Sequence, residues 1–520
     1  LKVNIIPASE VVNLIKDGAT VATVGMTLVS ASEAILKAIE NSFLENGRPR
    51  DLTIVHSAGQ SNRKDGIQHL AHEGLIKRII GSHWGLQPRM MELIHGNKIE
   101  AYCLPQGQIT HLYRAMSHGN PGRITKIGLN TFIDPRLEGG KMNDRTKVLP
   151  DISEVITING EEFMFYREIP LDVVIIRGTT ADENGNITAE DEAMKLEVLP
   201  AVLAAKRYGG KVIAQVKRIA KKGTLHPKRI VVPGVFVDAV VVAQSLEDHP
   251  QTNCALYDPV FSGDLQVPVD AITPLPLDIR KVIGRRGVML LKKNSIINVG
   301  TGIPNDVVGT ILLEEKLTED IMITVESGLY GGIPMGGIDF GIGKNVEAYI
   351  THHEQFDFYN GCGVDFTFMG VGEIDPLGNV NSTKFGSRAP GAGGFTDITQ
   401  GAKNCVFLST FTAKGLEVEF SAKGVTIKQE GQVKKFVEKL RQVSYNAGFE
   451  RSKGHNAYYV TERALFKLVD DGIELLEIAP GVDLEKDILA QMEFKPRIAP
   501  ELKKMDPRIF LDQAMNLVLK

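Results

Sequence analysis

Residues 171–188 read LDVVIIRGTTADENGNIT, and residues 364–381 read VDFTFMGVGEIDPLGNVN. Asp172 and Asp365, Asp182 and Asp375, Gly185 and Gly378, and Asn186 and Asn379 all stand at one offset, 193 positions. In each copy an apolar run reads as a buried strand that passes into a tight Asp-Gly-Asn turn. Repetition at a fixed offset marks two related units. The start of each half agrees. DGATVATVG (Asp17 to Gly25) and KNSIINVG (Lys293 to Gly300) both read as a strand leading into glycine. A helix-like segment then follows in each, Ala31 to Glu40 and Asn305 to Lys316. Short β-rich runs alternating with helical stretches predict two related open α/β/α domains with mainly parallel sheets.

Five prolines (Pro250, Pro259, Pro268, Pro274 and Pro276) fall within residues 249–278, where no periodicity survives. Proline fixes φ and removes a backbone donor, so residues 251–278 read as a linker or surface strap. It separates an N-terminal domain, 1–250, from a C-terminal domain, 279–520. The basic run RKVIGRRGVMLLKK (Arg280 to Lys293) predicts the helix that opens the second domain. The tail from Phe494, which carries prolines and charges, is expected to pack as a helix on the outside. A chain of 520 residues exceeds one compact core and suits two domains or three.

The formal charge of −4 gives no reason to expect nucleic acid or an anionic membrane as a partner. The four cysteines show no CxxC or zinc spacing, which fits a reduced, cytoplasmic protein. The N-terminal stretch lacks the order of a secretory signal. The longest apolar run, Ile230 to Ala243, is broken by Pro233 and Asp238, so no membrane span is expected.

Chemistry concentrates at ITVESGLYGGIPMGGIDFG, Ile323 to Gly341. A β-branched run ends in Glu326 and opens into a glycine-rich loop. A carboxylate at that position sits beyond the carboxyl end of a strand, where open α/β sheets bind ligands. Glu326 is therefore the first candidate for a reacting group, and a carboxylate can attack an acyl carbon. Asn298 to Pro304 (NVGTGIP) joins a strand to a helix, and Gly300, Gly302 and Ile303 can present N–H groups to an anion. It fails as a dinucleotide fingerprint because Asn305 stands where the third glycine is required. Ala389 to Asp397 (APGAGGFTD) holds Gly391, Gly393 and Gly394, whose N–H groups could face a developing oxyanion. Leu104 to Gln108 (LPQGQ) offers Gln106, a neutral amide donor. The basic run Val216 to Arg229 reads as a solvated face, the alternative being a contact with the phosphates of an anionic substrate. His352 and His353, and likewise His83 and Trp84, read as packing residues.

In this combination and order the motifs resemble the family I coenzyme A transferases, nearest to the fused single-chain acyl-CoA:acetate and 3-ketoacid type. The resemblance covers nearly the whole chain. It implies an α-like and a β-like half of the CoA-transferase, ribose-isomerase-like fold, with the active site between them. TVESG followed by GGIPMGGIDFG matches the family's nucleophile region and carries that role to Glu326. LPQG carries the oxyanion glutamine to Gln106. GAGGFTD matches the glycine loop that supplies a second oxyanion N–H, from Gly393 or Gly394. NVGTGIP resembles the loop beside the CoA and acyl site, which assigns Gly300, Gly302 and Ile303 to substrate contact. The implied reaction is ping-pong transfer of CoA from an acyl-CoA to a short-chain carboxylate through an acyl-glutamyl anhydride and a glutamyl-CoA thioester. CoA is then a substrate, no metal or other cofactor is required, and the relatives' habit implies a homodimer or homotetramer. The rival readings are an acyl-CoA hydrolase using the same glutamate and a non-catalytic sensor of CoA esters or sugar phosphates.

Overall fold

The run Val173–Arg177 is buried at every position, as a strand covered on both faces by helices must be. It lies in the middle of an eight-stranded sheet that, with the remaining chain, forms a computed structural model describing residues 2–268, 272–386 and 388–520. In chain order the strands of this first sheet are β1 (Asn4–Ile5), β2 (Thr20–Thr23), β3 (Leu52–His56), β4 (Ile76–Gly81), β5 (Glu100–Cys103), β6 (Val173–Arg177), β7 (Lys211–Val216) and β8 (Ala239–Val242). They lie in the order β1-β8-β7-β6-β2-β3-β4-β5, and every pairing is parallel. Helices α1 (Glu33–Asn46), α2 (Gln106–Ser117) and α3 (Val198–Arg207) belong to this half.

A second sheet of ten strands is built from β9 (Ser295–Val299), β10 (Ile321–Val325), β11 (Leu329–Tyr330), β12 (Ala348–Tyr349), β13 (Phe366–Gly370), β14 (Asn404–Leu408), β15 (Asn456–Val460), β16 (Ala464–Val469), β17 (Gly472–Ile478) and β18 (Arg497–Lys504). Their order is β12-β11-β10-β9-β13-β14-β15-β16-β17-β18. The central run β10-β9-β13-β14-β15 pairs parallel, while β11, β12 and β16 add antiparallel pairings toward the margins. Helices α4 (Ile279–Val288), α5 (Ile303–Glu314), α6 (His352–Gly361) and α7 (Phe395–Gly401) belong to this half. The expectation of two α/β units with largely parallel sheets holds.

The repeat is carried by matching hydrogen bonds. Asp172 Oδ2 accepts the N–H of Thr20 at the start of β2 at 2.8 Å. Asp365 Oδ2 accepts the N–H of Ile296 in β9 at 2.9 Å. Each aspartate ties its own central strand to a parallel neighbour from earlier in its half, β2 in the first and β9 in the second. Past those strands, Asp182 accepts the backbone and side-chain N–H groups of Asn186, at 3.0 and 2.9 Å. Asp375 does the same for Asn379, both at 2.9 Å. Gly185 at φ +85° and Gly378 at φ +83° allow the two turns to close.

The tail corrects the sequence reading. It forms β18, paired parallel to β17 at the edge of the second sheet, and then a short turn at Pro507–Phe510. Pro500 within the segment forbids a regular helix but is tolerated in an edge strand, where one missing N–H breaks no inner ladder. The basic helix is real but shorter, ending at Val288, and Lys281, Arg285 and Arg286 within it are buried. Lys281 meets Glu314 at 2.8 Å, and Arg286 grips Glu477 at 2.8 and 2.9 Å. Arg285 donates to the tail carbonyls of Ile509, Leu511 and Gln513. In the strap, Asn345 exchanges two hydrogen bonds with Val267, both 2.8 Å; residues 269–271 of the expected linker lie outside the described residues. Among the described residues no helix is long and apolar enough to cross a membrane.

Candidate active site

Glu326 is the first residue beyond β10, and the chain turns at once. Gly328 adopts φ +103° with its Cα so close to the next segment that a Cβ would stand 2.1 Å from the Ile350 carbonyl oxygen. Only glycine fits there. Ser327 Oγ donates to the Gly341 carbonyl at 2.5 Å and fixes the return of the glycine-rich loop. The consequence is that Glu326 is held inward, 6% exposed.

Gln106 reaches the same place from the other half. Strand β5 ends at Cys103, and Pro105 with φ −61° leads into α2, whose first residue is Gln106. Two groups of the second half dock this helix start. The N–H of Gln106 donates to the Gly393 carbonyl at 3.0 Å. Asp397, on α7, accepts the N–H of Gly107 at 2.9 Å and the Gln108 amide at 2.7 Å. A buried carboxylate on the open N–H groups of a helix start is a favourable pairing of charge and dipole.

The glycine loop arrives between them. Gly391 pairs with His83 in an isolated antiparallel bridge, and the N–H of Gly393 donates to the Ser82 carbonyl at 2.9 Å. Among the described residues the N–H of Gly394 has no partner. A Cβ on Gly394 would lie 3.3 Å from Glu326 Cδ, and one on Gly393 would lie 3.7 Å from Gln106 Oε1. Glu326, Gln106, Gly393 and Gly394 are therefore brought together at the seam of the two halves. The NVGTGIP turn stands beside this group. The register of β9 on β10 pairs Asn298 with Thr324, which sets Gly300 level with Glu326 one strand away. Gly302, at φ +83°, has open space around it at the head of α5.

Burial governs the electrostatics. It pushes the Glu326 carboxyl up to about 8, the nearby Asp397 charge adds to the rise, and the Gln106 amide opposes it. Burial also raises Asp397, against the hydrogen bonds from Gln108 and Gly107. The site is thus a desolvated carboxyl facing neutral N–H donors, an arrangement suited to attack on a carbonyl and to holding the oxyanion that follows.

Two further residues, which no sequence motif marks, belong here. His352, which reads as packing in the sequence, is wholly buried at the start of α6. Its Nε2 lies 2.8 Å from the Gln106 amide nitrogen, and its Nδ1 lies 2.6 Å from Oε2 of Glu197. Glu197 precedes α3 in the first half, and its other oxygen accepts from the Ser57 hydroxyl. Neither residue carries a local signal, because the partners lie 246 and 155 positions away from His352 in sequence. The three side chains Glu33, Asp65 and His69 approach as metal ligands could. Both ring nitrogens of His69 are already committed to Glu33 and Glu40, however, so the cluster reads as an ion-pair network.

A family model described as coenzyme A transferase matches residues 6–243. The chain is 44% identical to the caffeate CoA-transferase of Acetobacterium woodii, over 98% of this chain and 97% of that protein. It is 41% identical to the acetate CoA-transferase YdiF of Escherichia coli (strain K12), over 100% of this chain and 97% of that protein. The crystal structure of the acyl-CoA transferase YdiF apoenzyme from Escherichia coli O157:H7 is similar with a TM-score of 0.94 at 39% identity, covering 100% of this chain and 98% of that one.

Proposed function

The chain belongs to the family I coenzyme A transferases, and on that premise we propose how its own residues carry the reaction. The enzyme moves CoA between an acyl-CoA and a short-chain carboxylate. In our reading the Glu326 carboxylate attacks the thioester carbonyl, the C–S bond breaks, and a mixed anhydride and CoA thiolate result. The thiolate then attacks Glu326 Cδ, the anhydride C–O bond breaks, and the donor's carboxylate leaves behind a glutamyl-CoA thioester. An acceptor carboxylate runs the same two steps in reverse and departs as a new acyl-CoA.

Each tetrahedral intermediate carries an oxyanion. We assign one donor to the Gln106 amide and the second to the N–H of Gly394 rather than Gly393, whose N–H is committed to Ser82. Such donors contribute about 3 kcal/mol each. Burial at the seam supports the reading further, because both covalent intermediates hydrolyse if water enters. Gly300, Gly302 and Ile303 would meet the CoA or acyl moiety at the head of α5. The YdiF enzyme of Escherichia coli O157:H7 has also been crystallised as a thioester complex with CoA, an adduct of the kind this route requires.

The observation that carries the proposal is one buried carboxyl packed against the Gly394 turn of its own half and facing the Gln106 amide of the other. Glu326→Gln and Glu326→Ala are expected to abolish transfer while the fold persists. Glu326→Asp is expected to lose most activity, since a shorter arm misplaces the attacking oxygen. Borohydride, which reduces a thioester, should inactivate the enzyme only after acyl-CoA is added, and peptide mass analysis should place the change at Glu326. Full activity in Glu326→Ala would overturn the assignment.

A further inference from the structure

A glutamine amide is nearly symmetric in shape and wholly asymmetric in charge. Turned one way, Gln106 presents an N–H to the reacting centre; turned the other, it presents a carbonyl oxygen, which would repel an oxyanion. Its backbone is fixed by the bond to Gly393, but that does not choose the rotamer of the terminal amide. Something else must hold the nitrogen in place.

We propose that Glu197 and His352 form a positioning pair that selects this orientation: Glu197 accepts the Nδ1–H of His352, and the bare Nε2 accepts one N–H of Gln106, leaving the second amide N–H for the oxyanion. This rests on the reading of Gln106 given above. The distances of 2.6 Å and 2.8 Å are those of two consecutive hydrogen bonds through one imidazole. The direction of the chain follows from its end. Glu197 accepts from the Ser57 hydroxyl on one oxygen, so the other is the acceptor that faces the ring. A ring with its proton on Nδ1 has a lone pair on Nε2, and only the nitrogen end of the amide can meet that lone pair. The ring is fully buried against Phe356 with centroids 5.3 Å apart, and turning it over would break both hydrogen bonds.

From Glu197 onward the line crosses the seam at every step. Glu197 and Gln106 come from the first half, His352 and Glu326 from the second. Closing the two halves therefore assembles not only the nucleophile and its donor but also the device that orients the donor. Neither Glu197 nor His352 touches the reacting atoms, so both act through Gln106.

The test combines a spectroscopic and a kinetic readout on the full chain. With histidine labelled by nitrogen-15, the resonances lost in His352→Gln identify the ring. They should show one protonated and one bare nitrogen in the parent, with the proton on Nδ1. In Glu197→Gln the new amide can donate to Nδ1, which moves the proton to Nε2 and turns Gln106 around. That variant should lower kcat by about 10²-fold, the usual effect of losing one oxyanion donor, with KM for acyl-CoA and acceptor little changed. His352→Gln, whose carbonyl oxygen can stand in for the bare Nε2, should retain more activity than His352→Leu. A doubly protonated or Nε2-protonated ring in the parent would overturn the proposal, and so would parent-like kcat in Glu197→Gln. The parent spectrum needs no variant to fold beyond the one used for assignment. Failure here leaves the trapping of Glu326 untouched, whereas absence of a Glu326 adduct would sink the catalytic reading even if the tautomer were as described.

Discussion

The nucleophile proposed here, Glu326, is a carboxyl that its surroundings push toward the neutral form. Its carboxyl is pushed up to about 8, first by burial and then by Asp397. In the free enzyme only the ionised fraction can attack, so kcat/KM should rise with pH and level off above about 8. A profile flat from about pH 6 upward would contradict this. The same shift has a sign for stability. The folded state binds a proton that the unfolded chain releases near the ordinary value of 4.5. The group's favourable contribution is therefore complete below that value and is lost as pH rises through about 8. Glu326→Gln should thus gain in melting temperature over the parent as the pH is raised from about 5 to about 9, a stabilisation obtained at the expense of activity. Gly394 offers a cleaner perturbation, because its φ of −80° suits any residue. A Cβ there would press on Glu326 Cδ at 3.3 Å and on Phe356 and Ile398 at 3.2 and 3.1 Å. Gly394→Ala should lower kcat by about 10-fold or more while leaving secondary structure intact, since an ångström of misplacement is costly at a reacting atom. At this scale the sequence is informative where chemistry is local. Glu326, Gln106 and the glycines each stand in a short stretch whose turn residues betray a backbone held for a ligand. Asp397 lies in plain sight within GAGGFTD without a visible role, and His352 reads as packing, because a side chain's partners are decided by which elements meet.

At the scale of elements the site depends on how two helix starts are docked. Helix α2 brings Gln106, α7 follows Gly394, and Asp397 of α7 ties them by its bonds to Gly107 and Gln108. Replacing Asp397 by Asn removes one negative charge that raises Glu326 and weakens the grip on α2. Two separable effects should follow: the rise of kcat/KM with pH moves to lower pH, and kcat at its plateau falls as α2 loosens. An unmoved pH profile would show that the Asp397 charge is not felt at Glu326. The elements themselves are legible to different degrees. The strands announce themselves through uninterrupted apolar runs, and the repeat of Asp172 at Asp365 discloses that each central strand is pinned the same way to its neighbour. The tail misleads because charge and proline suggest an outer helix. Its pairing with β17 follows only from the free edge that the second sheet leaves open, and an edge is invisible until the sheet is built.

The molecule as a whole closes its site across a seam, and the seam is held by more than the reacting groups. Phe132 donates to the Val443 carbonyl at 2.8 Å, Gly128 to Gln400 at 2.7 Å, and Gln442 to Glu138 at 2.8 Å. Arg114 pairs with Asp357 at 2.7 Å, and Lys195 donates to the Tyr349 carbonyl at 3.0 Å. These join residues 154 to 311 positions apart, so contacts across the seam, and not the chain connection alone, align the halves. Leu265 in that strap is 57% exposed, which makes the adjoining bond a fitting place for an engineered protease site. After cleavage between Asp264 and Leu265 the two fragments should co-elute as one species under native conditions and keep most of the parent turnover. Their separation, with loss of transfer, would mean that the chain connection and not the seam keeps Gln106 opposed to Glu326. Mild urea applied to the cleaved enzyme should then abolish turnover before either half unfolds, because the weakest link in a composite site is the interface on which every donor depends. If turnover and the circular dichroism of both halves were lost together, the two units would be one cooperative body, and the repeat would describe their origin rather than their independence.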